Sequence, residues 1–89
     1  VMKTFAIFYH LSTGYVEGSM PPRFEAEHVK PIEACGDRAV LQIDSRLTIT
    51  NAESLARDWA KKHNFVGYKI VKGNSLQNNR TIVDYRHMA

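Results

Sequence analysis

The stretch TNAESLARDWAKKH, residues 50–63, decides the architecture of this chain. Its apolar residues recur at spacings of three and four, so they share one face of a helix. They are Ala52, Leu55, Ala56, Trp59 and Ala60. Thr50 and Glu53 have the spacing of a capping box, and Asn64 suits the left-handed residue that ends a helix. The stretch therefore predicts one amphipathic helix that packs against another layer of structure.

The segments around this helix have the composition of β-strands. Residues 5–11 hold apolar side chains in both alternating sets, which predicts a strand covered on both faces, or central in a sheet. Residues 39–44, 65–72 and 81–88 are further strand candidates, and a short strand is expected around residues 28–30. The expected fold is α+β: a small, mainly antiparallel sheet of four to five strands packed against one amphipathic helix, in the order β-(β)-β-α-β-β.

The last two strands are expected to form a hairpin. Its polar loop, residues 73–80, is longer than a tight turn needs. Between the first strand and the helix, the sequence also predicts a returning strand that begins at residues 15–16 and a short helical piece at residues 31–35. Pro21 and Pro22 disfavour helix in the segment between those two elements, which is expected to cross the surface.

Size and composition limit the possible classes of protein. The 89 residues fit a single domain, residues 1–89, and the chain is 44% hydrophobic and 24% charged, as in ordinary globular domains. One cysteine excludes an internal disulfide and favours a cytoplasmic location. The apolar run near the start is too short to span a bilayer, so no membrane association is expected.

No motif for catalysis or metal binding is evident. The patterns G-x-G-x-x-G and G-x-x-x-x-G-K-[ST] do not occur. The side chains that could ligate a metal lack the short spacings of known sites, so no metal or other cofactor is expected. They are His10, His28, Cys35, His63 and His87. A lone cysteine is more often a small buried apolar residue than a nucleophile. An enzyme is therefore less favoured, although the sequence leaves the question open.

Two aromatic segments have residues that could act on RNA. Phe65 and Tyr68 are three residues apart, whereas stacking aromatics on an RNA-binding strand are two apart; this predicts opposite faces, with Tyr68 in the core. Tyr85, Arg86 and His87 could stack on a base, bind phosphate and move protons in a small ribonuclease. In composition alone, this tail resembles small basic α+β toxins that cleave mRNA, but the helical pair that usually opens those toxins is missing. Strand alternation also separates Arg86 from the other two side chains.

Charge is distributed unevenly along the chain. The net charge is +3; residues 1–44 contribute −2, and residues 45–89 contribute +5 from eight basic and three acidic residues. A basic half can attract nucleic acid. The residues predicted for such a surface are Arg57, Lys61, Lys62, Lys72, Arg80 and Arg86.

The favoured function is a small non-enzymatic interaction or accessory module. A sheet with one helix leaves edge strands, and the two-sided apolar first strand has more apolar surface than one helix can cover. Burial in a homodimer, or against another protein, through a sheet edge or face follows from this pattern. The alternatives are nucleic-acid binding by the basic half and, less favoured, a small ribonuclease.

Overall fold

A computed structural model describes residues 2–9, 29–31 and 40–87. In this part of the chain, the elements follow in the order β1 (Lys3–Tyr9), β2 (Val29–Pro31), β3 (Val40–Ile43), α1 (Ile49–Lys62), β4 (Gly67–Gly73) and β5 (Asn79–Tyr85). All paired strands are antiparallel, in the spatial order β2-β3-β1-β4-β5. The predicted α+β fold and element order are confirmed. The predicted strand at residues 15–16 lies outside the described residues, as does the helical piece except for Pro31, which belongs to β2.

β1 is the central strand, as its two-sided apolar pattern predicts. It pairs with β3 on one side and β4 on the other, and residues 4–9 are all buried. Ala6 and Phe8 join the core beneath α1, whereas Phe5 and Ile7 join a second core on the opposite side of the sheet. We call these two sides the helix face and the far face.

The ends of α1 test two capping predictions. Thr48, not Thr50, is the N-cap, because its Oγ1 accepts a hydrogen bond from the backbone nitrogen of Asn51 at 3.2 Å. The predicted capping box is wrong: Glu53 lies in the second turn and accepts a hydrogen bond from a tyrosine of β4 instead. Asn64 has a φ of 61°, the left-handed conformation predicted for the residue that ends this helix.

The core beneath α1 contains most of the large apolar side chains. Trp59 and Tyr68 are buried in it, as predicted. Phe65 lies in the same core and stacks on Phe8, with ring centroids 5.1 Å apart. The prediction that Phe65 and Tyr68 point to opposite faces is wrong, because Phe65 precedes β4 and strand alternation does not apply to it.

β4 and β5 form the predicted hairpin, with a shorter loop of residues 74–78. Ser75 orders this loop: its Oγ accepts hydrogen bonds from the backbone nitrogens of Gln77 at 3.2 Å and Asn78 at 3.1 Å. In β5, Thr81 pairs with Val71 and Val83 with Ile70, so the residue between them forms a bulge. The alternation of side chains is therefore broken at Ile82.

Candidate functional site

Exposed apolar side chains point to β5 as a functional surface. In the described part of the chain, the large apolar residues that remain exposed are Met2, Ile82 and Tyr85, at 51%, 37% and 42%. Two of these three lie on β5, which is an edge strand of the described sheet and pairs with β4 alone among the described strands. An edge strand presents backbone donors and acceptors that can pair with another chain.

On the helix face, Tyr85 lies beside three hydrogen-bonded side chains. The hydroxyl of Tyr68 donates to Oε2 of Glu53 at 2.7 Å and accepts from Nη2 of Arg57 at 3.2 Å. Arg57 also forms an ion pair with Glu53 at 3.5 Å. The ring of Tyr85 meets the ring of Tyr68 edge-on, with centroids 5.8 Å apart. These contacts hold Arg57 on the same side of the sheet as Tyr85.

The electrostatics of this group do not suit proton transfer near neutral pH. Burial and the hydrogen bond to Glu53 raise the pKa of Tyr68, more than the hydrogen bond from Arg57 lowers it. The hydrogen bond to Tyr68 raises the pKa of Arg57 further above its ordinary value. A general acid or base works best with a pKa near the operating pH. The pKa values of Tyr68 and Arg57 are both shifted away from neutral pH, which favours a structural role for these two groups.

On the far face, Arg86 is held by a second group of the same kind. The hydroxyl of Tyr9 donates to Oδ1 of Asp84 at 2.7 Å. Arg86 donates to both carboxylate oxygens of Asp84 at 3.3 Å, and its guanidinium carbon lies 4.8 Å from the centroid of the Tyr9 ring. Arg86 and Tyr85 therefore lie on opposite sides of the sheet, so the residues considered for a ribonuclease do not converge.

The pKa values of this far-face group reflect its burial and its hydrogen bonds. Burial, followed by the hydrogen bond to Asp84, raises the pKa of Tyr9 to about 12. Burial also raises the pKa of Asp84, but hydrogen bonds from Arg86 and Tyr9, with the charges of Arg86 and Lys69, outweigh burial and lower it below its ordinary value. The carboxylate is thus held ionised between its donors.

Alkaline pH is expected to destabilise the protein through Tyr9. The folded-state pKa of about 12 exceeds the ordinary value of 10.0, so the unfolded chain loses this proton first. The stability from this group is fully present below about pH 10 and falls as pH rises toward 12, by at most about 1.4 kcal/mol per pH unit. Urea unfolding between about pH 9 and pH 11 measures the loss. Tyr9→Phe lacks the proton, so its free energy of unfolding should fall less steeply; parallel pH profiles contradict the prediction.

The structure divides the cations predicted to bind nucleic acid among three places. They are Arg57, Lys61, Lys62, Lys72, Arg80 and Arg86. Arg57 and Arg86 lie on opposite faces at the Tyr85 end of the hairpin. Lys72 and Arg80 pair across the hairpin near its loop. Lys61 and Lys62 are exposed in the last turn of α1.

Sequence reasoning missed the exposure of Ile82 and the hydrogen bonds that tyrosines donate to Glu53 and Asp84. Ile82 occupies a bulge, which depends on the pairing of two strands and has no local sequence signal here. The spacing of Glu53 four residues before Arg57 allows the ion pair that the structure contains, but nothing local indicated that Tyr68 would donate to Glu53. Nothing local indicated that Tyr9 would donate to Asp84, since 75 residues separate them.

Within residues 2–9, 29–31 and 40–87, no group of three or more His, Cys, Asp or Glu side chains is arranged to hold a metal ion. His10, His28 and Cys35 lie outside these ranges. No helix in the same ranges is long and apolar enough to cross a membrane. Comparison of the chain with protein families, with curated proteins and with solved structures finds no significant match.

Proposed function

We propose that this protein is a non-catalytic interaction module that self-associates through the edge of β5. The observation that carries the proposal is the position of Tyr85. This exposed aromatic residue lies at the end of an edge strand, between Arg57 on one face and Arg86 on the other. Tyrosine and arginine are enriched among the residues that dominate the energetics of protein interfaces. The partner we propose is a second copy of this chain.

Two-fold symmetry selects how two copies of β5 would pair. In an antiparallel pair related by a two-fold axis, one residue lies opposite its own copy and its neighbours pair crosswise. With Tyr85 at the axis, Asp84 lies opposite the partner subunit's Arg86, and both side chains belong to the far face. The two exposed tyrosine rings meet at the centre, and each carboxylate contacts a guanidinium of the other copy.

Other symmetric registers fit this strand less well. An axis at Arg80 or Asp84 places like charges directly opposite each other, which destabilises a strand pair. An axis at Thr81, Ile82 or Val83 carries the pairing across the bulge, where side-chain alternation is broken. The register centred on Tyr85 avoids both problems, because residues 83–87 lie beyond the bulge.

The side chains at this proposed contact are already ordered. The hydroxyl of Tyr9 donates a hydrogen bond to Asp84, and the guanidinium of Arg86 donates to both carboxylate oxygens of Asp84. Ordering before association reduces the conformational entropy lost in the interface. The paired segment is short, so the contact is expected to be weak, with a dissociation constant on the order of 10 µM.

Sedimentation equilibrium of a charge variant tests the proposal. Tyr85→Glu places two carboxylates at the symmetry axis, so we expect the dissociation constant to rise more than about tenfold, since like charges opposite each other repel. Ile82→Glu is the matched control, because it makes the same change from an exposed apolar residue to an acid on the same strand, but outside residues 83–87. Although Ile82 is also exposed on β5, it lies at the bulge and outside the proposed paired segment, so this variant should self-associate like the wild type.

Two outcomes would count against the proposal. A wild-type chain that remains monomeric well above the expected dissociation constant rules out self-association through β5. Equal weakening in both variants rules out the register centred on Tyr85. Circular dichroism of each variant shows whether a loss of association reflects a loss of fold.

A further inference from the structure

The loop end of the β4–β5 hairpin carries two cations that no side chain of the described residues neutralises. Lys72 and Arg80 lie directly opposite each other in adjacent strands. No side chain of the described residues forms an ion pair or hydrogen bond with either of them. Like charges opposite each other destabilise a strand pair, so an anion from outside the chain would be stabilised between Lys72 and Arg80. This end of the hairpin is separate from the Tyr85 contact.

The same row of the sheet contains a buried hydroxyl without a partner. Thr4 pairs with Lys72 on the side away from β5, so Thr4, Lys72 and Arg80 form one row across three strands. The row belongs to the helix face, because Lys72 lies two residues after Ile70 in β4 and Ile70 is buried in the core beneath α1. Thr4 is 2% exposed, and its Oγ1 has no hydrogen-bond partner. Buried polar groups are normally paired, so this row places one unpaired buried hydroxyl beside a half-buried and an exposed cation, neither of which has an ionic partner among the described residues.

The adjoining loop presents amide side chains from an ordered backbone. Asn74, Gln77 and Asn78 are exposed. Ser75 holds the loop, and the side-chain nitrogen of Asn79 donates to the carbonyl oxygens of Ser75 at 3.0 Å and residue 76 at 2.7 Å. Amides carry both donors and acceptors, which suits sugar and base edges next to a phosphate.

We infer that the loop end of this hairpin binds the backbone of a nucleic acid. Lys72 and Arg80 contact phosphates, and the amides of residues 74–78 contact the adjoining nucleotides. Polynucleotides fit better than an acidic protein segment, because the groups beside the two cations are amides rather than an apolar anchor. Of the six cations predicted from the sequence, Lys72 and Arg80 form this site. The site is separate from the end of β5 that pairs with a second copy.

Fluorescence anisotropy with a labelled DNA duplex and a labelled single-stranded RNA, both of mixed sequence, tests this inference. The wild type is expected to bind at least one of them at low salt, with an affinity that falls as salt rises. Lys72→Gln and Arg80→Gln should each lose about tenfold in affinity at about 0.1 M salt, and each should reduce the slope of log affinity against log salt by about one.

Lys61→Gln provides the matched control, because it removes one positive charge from the exposed end of α1. We expect it to change affinity less than about twofold. Equal losses in all three variants would show that net charge alone drives binding and would overturn the site. Absence of binding to both probes, or equal competition by polyglutamate, would overturn the nucleic acid as the ligand. The melting temperatures of Lys72→Gln and Arg80→Gln should not fall, because each variant removes a like-charge contact.

Sedimentation of these variants separates the inference from the proposed self-association. Lys72→Gln should self-associate like the wild type while losing nucleic-acid affinity. Tyr85→Glu should lose self-association and keep the dependence of nucleic-acid binding on Lys72. A monomeric wild type that binds through Lys72 and Arg80 would overturn the self-association and leave the nucleic-acid site standing.

Discussion

Phe8→Ala is expected to lower the free energy of unfolding by about 3–5 kcal/mol. Phe8 is fully buried on the central strand, and its ring stacks on Phe65 with centroids 5.1 Å apart. Truncation removes these contacts and leaves a cavity. Because β1 is paired with a strand on each side, it cannot easily shift to fill that cavity. A chain of this length has a total stability on the order of 4–13 kcal/mol, so the loss is a large share of it. Urea unfolding followed by the fluorescence of Trp59, the single tryptophan, measures it.

Phe8→Leu is the control for this prediction. It retains an apolar side chain of intermediate volume, so its cost should stay well below that of the alanine variant. If Phe8→Ala costs less than about 1 kcal/mol, the core beneath α1 cannot be packed around this ring as described. A similar cost for both variants would indicate that the shape of the ring, rather than its volume, determines the packing.

Burial patterns explain why the sequence predicts the main elements correctly. The spacing of the apolar residues in residues 50–63 reports a helix with one buried face, and the two-sided pattern near the start reports a strand buried on both faces. The N-cap was misplaced because Thr50 and Glu53 match the capping-box pattern, whereas Thr48 and Asn51 do not. Thr48 nevertheless caps the helix through the backbone nitrogen of Asn51, and the Glu53 carboxylate accepts a hydrogen bond from Tyr68.

Long-range pairing explains what the sequence does not predict. Phe65 was assigned to the wrong face because the sequence does not show where β4 begins. The strand starts at Gly67, two residues after Phe65, so strand alternation does not apply to Phe65. The bulge at Ile82 depends on how β5 registers with β4. The contact between Tyr9 and Asp84 requires β1, β4 and β5 to lie side by side.

The candidate sites, like the fold, are predicted by the sequence only where they do not depend on long-range strand pairing. Composition identifies the basic residues of the C-terminal half, because a charge count needs no structure. It does not show that Lys72 and Arg80 face each other with no carboxylate of the described residues bonded to them, or that Asp84 already holds Arg86. These distinctions come from strand register, which is set by contacts between residues far apart in the chain.

Gly67→Ala is expected to cost about 3 kcal/mol or more in the free energy of unfolding. A methyl group at position 67 would overlap the carbonyl oxygen of Tyr85 and lie 2.6 Å from the Cα of Arg86. Both are backbone atoms, so no side-chain rotation relieves the overlap, and the end of β5 must move away from β4. The contact between the rings of Tyr68 and Tyr85 would open as well. Urea unfolding measures the cost.

Gly73→Ala supplies a matched variant at the other end of the same hairpin, where a methyl group would overlap the carbonyl oxygen of Asn78 and lie 2.6 Å from the Cβ of Asn79. Both variants should lose stability. Under conditions where each remains folded, Gly67→Ala should weaken self-association and Gly73→Ala should weaken nucleic-acid binding, because each displaces only its own end of β5. Wild-type stability in Gly67→Ala would contradict the close approach of the two strands. Loss of both activities in both variants would mean that the two ends of β5 do not act as separate surfaces.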